Sequence, residues 1–151
     1  MLSVLHRRLP PEMVKCIMEY VYAPQPVVLL RDIRHFVQTK REILQYYHQY
    51  WDIEKAHWET NSVEWILNDL FSYSNDEFST LRGYIDRFYD LFRRFFRMRH
   101  KSRAEIEWYC TQLESRSPEI QINVFWGLFT PHEREEFIGR FLERTEIPRM
   151  G

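Results

Sequence analysis

Glycine is scarce in this chain, with four residues in all: Gly83, Gly127, Gly139 and Gly151. No Gly-x-Gly pair occurs, so neither a phosphate-cradling loop nor a dinucleotide fingerprint is available in its usual form. So few glycines also argue against a fold of tight β-hairpins. Cysteine is scarcer. Cys16 and Cys110 are too few for a disulfide framework and too far apart for zinc-finger spacing. Both are expected to be reduced, buried thiols. No apolar run approaches the roughly 18 residues that a membrane span requires. The opening segment meets charge after a few apolar residues, so no signal peptide is expected. Neither sign of charge dominates: 21 Lys and Arg face 22 Asp and Glu, for a net charge of −1. That balance excludes a uniformly basic nucleic-acid binder and an acidic solvating tail.

Catalytic signatures are missing too. There is no Gly-x-Ser-x-Gly elbow and no His-Glu-x-x-His pair. Residues 54–57 match one half of the Glu-x-x-His motif of bundle di-metal sites, but no second half exists. Glu54 and His57 are therefore read as exposed residues on one helix face. No enzymatic activity, metal, cofactor or small-molecule substrate is expected.

What is abundant is helical punctuation. Pro10 and Pro11 suit the first turn of a helix, where a missing N–H costs nothing. Met13, Val14, Ile17, Met18 and Val21 follow at helical spacing. Pro24, Gln25 and Pro26 stop that helix. A short second helix should turn Leu29, Leu30, Ile33, Phe36 and Val37 inward. Four capping boxes, Ser or Thr followed three residues on by Glu, then mark helix starts at Thr39, Ser74, Ser102 and Thr130. The box at Ser74 to Glu77 should open a long helix with Phe78, Leu81, Tyr84, Ile85, Phe88, Leu91, Phe92, Phe95 and Phe96 on its apolar face. Residues 120–124 alternate like a strand, yet Ser117 and Pro118 look like a helix start. Helix is the favoured reading, since a lone strand would have no partner. The expected fold is all-α, a compact bundle of seven or eight helices, with residues 9–51 as an N-terminal part and residues 52–151 packed on it.

Charge is patterned more sharply than its total suggests. From Asp52 to Asp90 there are nine acids against Lys55, Arg82 and Arg87, a balance of −6. Arg93, Arg94, Arg97, Arg99, Lys101 and Arg103 then follow without an acid among them, a balance of +6. Part of this suits a helix dipole. The remainder is a basic patch containing Phe95 and Phe96. It could meet nucleic acid or an acidic protein surface, including the acidic half of another copy. Phe95 and Phe96 continue the helical stripe and are expected in the core.

Aromatics are the second surplus: eleven Phe, nine Tyr and five Trp. Tyr46, Tyr47, Tyr50, Trp51, Trp58 and Trp65 are too many to face one core, which leaves an aromatic-heavy core and a protein interface both open.

The stretch from Leu9 to Val21 (Leu-Pro-Pro-Glu, then an apolar helix with Ile17 and Tyr20) resembles the opening of an F-box. Leu29 to Ile33, Phe36 to Lys40, and Tyr46 through Trp51 stand where an F-box has its second and third helices and closing Trp. The chain is similar to short F-box-like proteins of nucleocytoplasmic large DNA viruses, the giant viruses. The resemblance covers residues 9–51 and implies a three-helix region docking on a Skp-type adaptor of a cullin ubiquitin ligase. It places Leu9, Pro10, Met13, Ile17 and Val21 at that contact and leaves 52–151 to recruit a substrate. It also implies an intracellular setting, the host cytoplasm or virus factory, with packaging in the virion as the other location. The Pro24 to Pro26 break departs from the usual turn of that family.

The expected function is thus a non-enzymatic protein-interaction module, an F-box-like adaptor of viral origin. The alternatives are a structural virion or assembly protein with aromatic-rich contacts to itself or to another virion protein, and a nucleic-acid-associated factor using residues 93–103.

Overall fold

The computed structural model describes residues 10, 12–15, 25–54 and 62–146, with the side chains of 53 and 54 left aside. The chain falls into two compact units, Met1–Ile33 and Arg34–Gly151. The fold is all-α, with no strand among the described residues. In the first unit the Val14 N–H bonds the Pro10 carbonyl at 3.1 Å and residues 12–15 are helical, as two prolines at a helix start predict. Val14 is buried and Met13 exposed. Leu9, Ile17, Val21, Cys16, His57 and Trp58 lie outside the described residues.

Six α-helices follow: α1 (Val27–Tyr47), α2 (Ser62–Ser74), α3 (Asp86–Arg93), α4 (Arg103–Glu114), α5 (Pro118–Leu128) and α6 (Pro131–Thr145). A π-helical segment, His48–Glu54, continues α1. Single 3₁₀ turns stand at Thr80–Arg82 and Phe96–Met98. Residues 120–124 are helical, inside α5.

α1 joins what the sequence suggests are two helices, and the predicted cap at Thr39 is not a cap. Thr39 is buried in mid-helix. Its hydroxyl donates to the His35 carbonyl one turn back at 2.6 Å and accepts the Trp126 indole N–H at 3.2 Å. The oxygen is engaged by the core, so the backbone runs through it. The inward face of α1 is also not the expected one. Thr39, Ile43, Tyr46 and Tyr47 are buried, whereas Leu29, Leu30, Ile33 and Val37 are exposed and Phe36 is half-buried. Val37 lies two residues from Thr39, about 200° round the helix, and so takes the opposite face.

The long helix expected from Ser74 does not form. α2 ends there in a Schellman-type stop: Glu77 N–H bonds Ser72 O at 2.8 Å and Asp76 N–H bonds Tyr73 O at 3.2 Å. Asp76 takes the left-handed conformation (φ 53°), with Glu77 beside it (φ 60°). Glycine is the usual residue at such a stop, and none is present. The loop that follows is organised by Asn75, which is fully buried. Its Nδ2 donates to Phe78 O (2.8 Å) and Gly83 O (3.1 Å), and its Oδ1 accepts Ile85 N–H (2.9 Å). Gly83 sits at φ 99°, a backbone that side chains resist. Phe78 and Leu81, assigned to the apolar stripe, are exposed.

The two remaining boxes cap as expected. Ser102 opens α4 and Thr130 opens α6, each exchanging bonds with the Glu three residues on. α2 is capped from elsewhere: Asp52, at the end of the π-helical segment, accepts both Ser62 N–H (2.9 Å) and Ser62 Oγ–H (2.8 Å).

The core of the second unit is aromatic. Tyr47 stacks on Phe141 with ring centres 4.1 Å apart, Trp51 on Trp65 at 4.0 Å, and Tyr84 on Phe88 at 4.0 Å. Tyr46 and Tyr47 are fully buried, and Tyr50, Trp51 and Trp65 pack against the same cluster. Five of the six aromatics judged too many for one core therefore share it. Tyr at the rim makes this possible, because each ring is buried while its hydroxyl reaches a surface carboxylate. Tyr46 reaches Glu42, Tyr47 Asp69, Tyr73 Glu136 and Tyr89 Glu107. Burial pushes the Tyr47 and Tyr73 pKa values up, and the neighbouring carboxylates add to the effect. Arginines close the layer: Arg144 pairs with Asp69 and Arg140 with Glu136, while Arg87 and Arg140 lie over the Tyr73 ring. Cys110 is buried on α4 between Ile106 and Leu113, as expected of a structural thiol. Arg134 is buried too, its Nε donating to the Trp126 carbonyl at 2.9 Å.

Candidate interaction groove

The basic run does not present six cations together. It begins at the end of α3, crosses the Phe96–Met98 turn and ends at the start of α4. Four of its members are held by carboxylates outside the run, two within one helical turn and two from farther along the chain. Arg93 pairs with Asp90 (3.0 Å), Lys101 with Glu105 (2.6 Å) and Arg103 with Asp86 (2.5 Å). Arg94 grips Glu133 with both terminal nitrogens, one at 2.9 Å, and also donates to Leu128 O at 3.1 Å. That fork ties the end of α3 to the junction of α5 and α6. Arg97 and Arg99 are exposed and make no ion pair among the described residues. The patch of +6 is thus largely compensated.

Phe95 and Phe96, expected in the core, are 38% and 82% exposed. The reason is local. Phe95 has extended backbone (ψ 123°), which ends the helix after Arg94 and turns the chain into the 3₁₀ step. The step is fastened by Met98 N–H to Phe95 O (2.8 Å) and Lys101 N–H to Met98 O (3.0 Å).

Beside this turn lies a groove of about 560 Å³ whose other walls are α4 and α5. α4 carries one exposed large hydrophobic side chain, Trp108, besides its core stripe. Ile106, Cys110 and Leu113 are buried, with Leu113 also at the groove floor; half-buried Tyr109 packs its ring on Phe92 and lines the groove, and Trp108 and Gln112 line its outer side. Trp108 is 67% exposed. On α5 the core takes Ile122, Phe125 and Trp126, while Ile120 and Val124 line the groove. The tight connection between the two helices is locked by Gln121, whose side-chain amide donates to Glu114 O (3.2 Å) and Arg116 O (2.9 Å).

Three cations line the groove, Arg97, Lys101 and Arg116, and among the described residues no carboxylate does. Burial pushes the Tyr109 hydroxyl pKa up, with Cys110 adding, while Arg97 and Arg116 pull it down. Both guanidiniums line the groove together with Tyr109. Lys101 already has Glu105, whose carboxyl is held at about 2 by Lys101 and by Ser102. The charge that faces outward uncompensated is that of Arg97 and Arg116.

Of the residues singled out from the sequence, Arg97 and Lys101 line the groove and Arg99 stands exposed beyond it, while Arg93, Arg94 and Arg103 brace the fold. Trp108, Gln112, Arg116, Ile120 and Val124 were not singled out as contact residues. The available signal was Trp108 itself, a large aromatic out of step with the Ile106, Cys110, Leu113 stripe. Pro10 and Met13 are exposed at the N-terminal helical turn. Among the described residues no group of three or more His, Cys, Asp or Glu is placed to hold a metal ion, and no helix is long and apolar enough to cross a membrane. Comparisons of the chain with protein-family models, with curated proteins and with solved structures find no match.

Proposed function

We propose that this chain is a non-enzymatic protein-interaction module, with its contact surface on the 34–151 unit at the α4–α5 groove. One observation carries the reading. In a unit whose described aromatics are mostly buried or half-buried, Phe95, Trp108 and Ile120 are exposed in the lining of one groove that also holds three cations, and the exposed Phe96 follows Phe95 on the turn beside it. Large apolar side chains grouped at a surface, with a polar rim, characterise protein contacts. The test is photo-crosslinking from position 108, from position 96 and from the control position Glu143 in cells that express the full chain. Discrete protein adducts at the first two positions and none at the third are expected. Equal or absent labelling at all three refutes the reading.

A second contact is favoured by a separate feature, the exposed Pro10 and Met13 at the opening helical turn. These residues suit the F-box-like adaptor role that residues 9–51 suggest. Purified chain should bind a Skp-type adaptor, and the Leu9→Ala, Pro10→Ala double variant should not. Absence of binding by the folded wild type removes this second contact and leaves the groove untouched.

A further inference from the structure

Resting on the interaction-module reading, we propose that the α4–α5 groove receives an acidic segment of a partner protein that carries an aromatic or branched aliphatic anchor. The anchor is set by the floor. Tyr109, Leu113 and Val124 offer an apolar trough, and the exposed Trp108 ring stands at its edge, where an inserted side chain would meet it. The size, about 560 Å³, falls within the range of about 300–1,000 Å³ typical of small-ligand pockets. The charge is set by the rim. Arg97 and Arg116 face the trough with no lining carboxylate to meet them, so a segment whose carboxylates flank its anchor matches both features.

Single-stranded nucleic acid fits less well. It requires a track of cations for successive phosphates and flat faces for successive bases. Here four of the six cations in the run are held by the chain's own carboxylates, and aliphatic side chains contribute much of the lining.

The test pans a random-peptide library on the full chain, then measures the enriched peptides by fluorescence anisotropy. The variants are Trp108→Ala and the double variant Arg97→Glu, Arg116→Glu. All three positions are exposed, and circular dichroism verifies that the variants stay folded. The expected consensus is rich in Asp and Glu around one aromatic or aliphatic residue. Each variant should weaken it by about tenfold or more, since anchors and charge pairs of this kind dominate interfaces. Lys in place of the peptide's acids should do the same. Enriched peptides that bind wild type and variants alike overturn this inference but leave the module reading, because binding is then elsewhere. Failure to enrich any peptide, together with crosslinking that fails at positions 96 and 108, removes both. Tighter binding of oligo-dT than of any peptide, lost in the double variant, assigns the groove to nucleic acid. Self-association of the wild type that the double variant abolishes assigns it to a second copy. Either result overturns the proposal.

Discussion

Removing the Asn75 side chain should cost more stability than its place in a surface-crossing loop suggests. In Asn75→Ala three hydrogen bonds disappear at a residue with no solvent exposure: to Phe78 O, to Gly83 O and from Ile85 N–H. A net value of about 1 kcal/mol per bond gives about 3 kcal/mol. The two carbonyls belong to exposed residues and regain water on loop opening, which lowers the cost. Ile85 is half-buried, and its orphaned N–H raises it. The expected loss is therefore about 2–4 kcal/mol, equivalent at this chain size to about 2–4 °C of Tm for each kcal/mol. Asn75→Asp is the sharper variant. It keeps an acceptor for Ile85 but sets a carboxylate oxygen against two carbonyls, so it should be at least as unstable as the alanine variant. Urea unfolding followed by far-UV circular dichroism reads both. A loss below about 1 kcal/mol with an unchanged m-value would refute the reasoning, because the loop would then be held by its backbone alone.

Gly83→Ala should destabilise by about 1–2 kcal/mol although the space around its α-carbon is open, because φ is 99°; a neutral result in the same urea assay contradicts the strained-backbone account. Burial resists ionisation of Glu133, but Arg94 and Thr130 outweigh it and hold its carboxyl at about 2 instead of 4.5. Its lowered pKa contributes stability above the ordinary carboxylate value, and that contribution is lost as pH falls through 4.5 towards 2. Tm plotted against pH should therefore fall less steeply across that window in Glu133→Gln, from a lower plateau at neutral pH, and parallel curves would count against it. Burial pushes the Cys110 thiol up to about 12, with Glu114 and Glu107 adding to the shift. In a Cys16→Ser background, a thiol reagent in mildly alkaline buffer should modify Cys110 no faster than the protein unfolds, and rapid labelling of the native state would show the site to be open.

Local chemistry was legible where it was local. The boxes at Ser102 and Thr130 name their caps because every partner lies within one exposed turn. The same pattern misled at Thr39, whose oxygen is claimed by an indole 87 residues away in sequence. It misled again at Ser74, where a helix stops at a left-handed Asp in place of the expected glycine. The heptad-like spacing from Phe78 to Phe96 reads as one helix, but it is cut by the Asn75-held loop and by extended backbone at Phe95. The strand-like alternation at 120–124 was resolved correctly from Ser117 and Pro118. The basic run was visible, with Asp90 and Glu105 one turn from Arg93 and Lys101, but the pairing of Arg94 and Arg103 was not. Asp86 and Glu133 lie 17 and 39 residues from the arginines they hold. The groove needs α4 and α5 side by side with the turn before them, and no spacing rule carries that.

The placement of the tryptophans makes the chain its own optical probe. Trp126 is fully buried with its indole N–H on Thr39, whereas Trp108 stands in water at the groove. Unfolding wets Trp126 and moves its emission to the red. An occupant that covers Trp108 dries that indole and moves its emission to the blue. Binding at the groove and loss of the fold thus shift the unlabelled spectrum in opposite directions, and a single titration separates a ligand from a denaturant by the sign of the change.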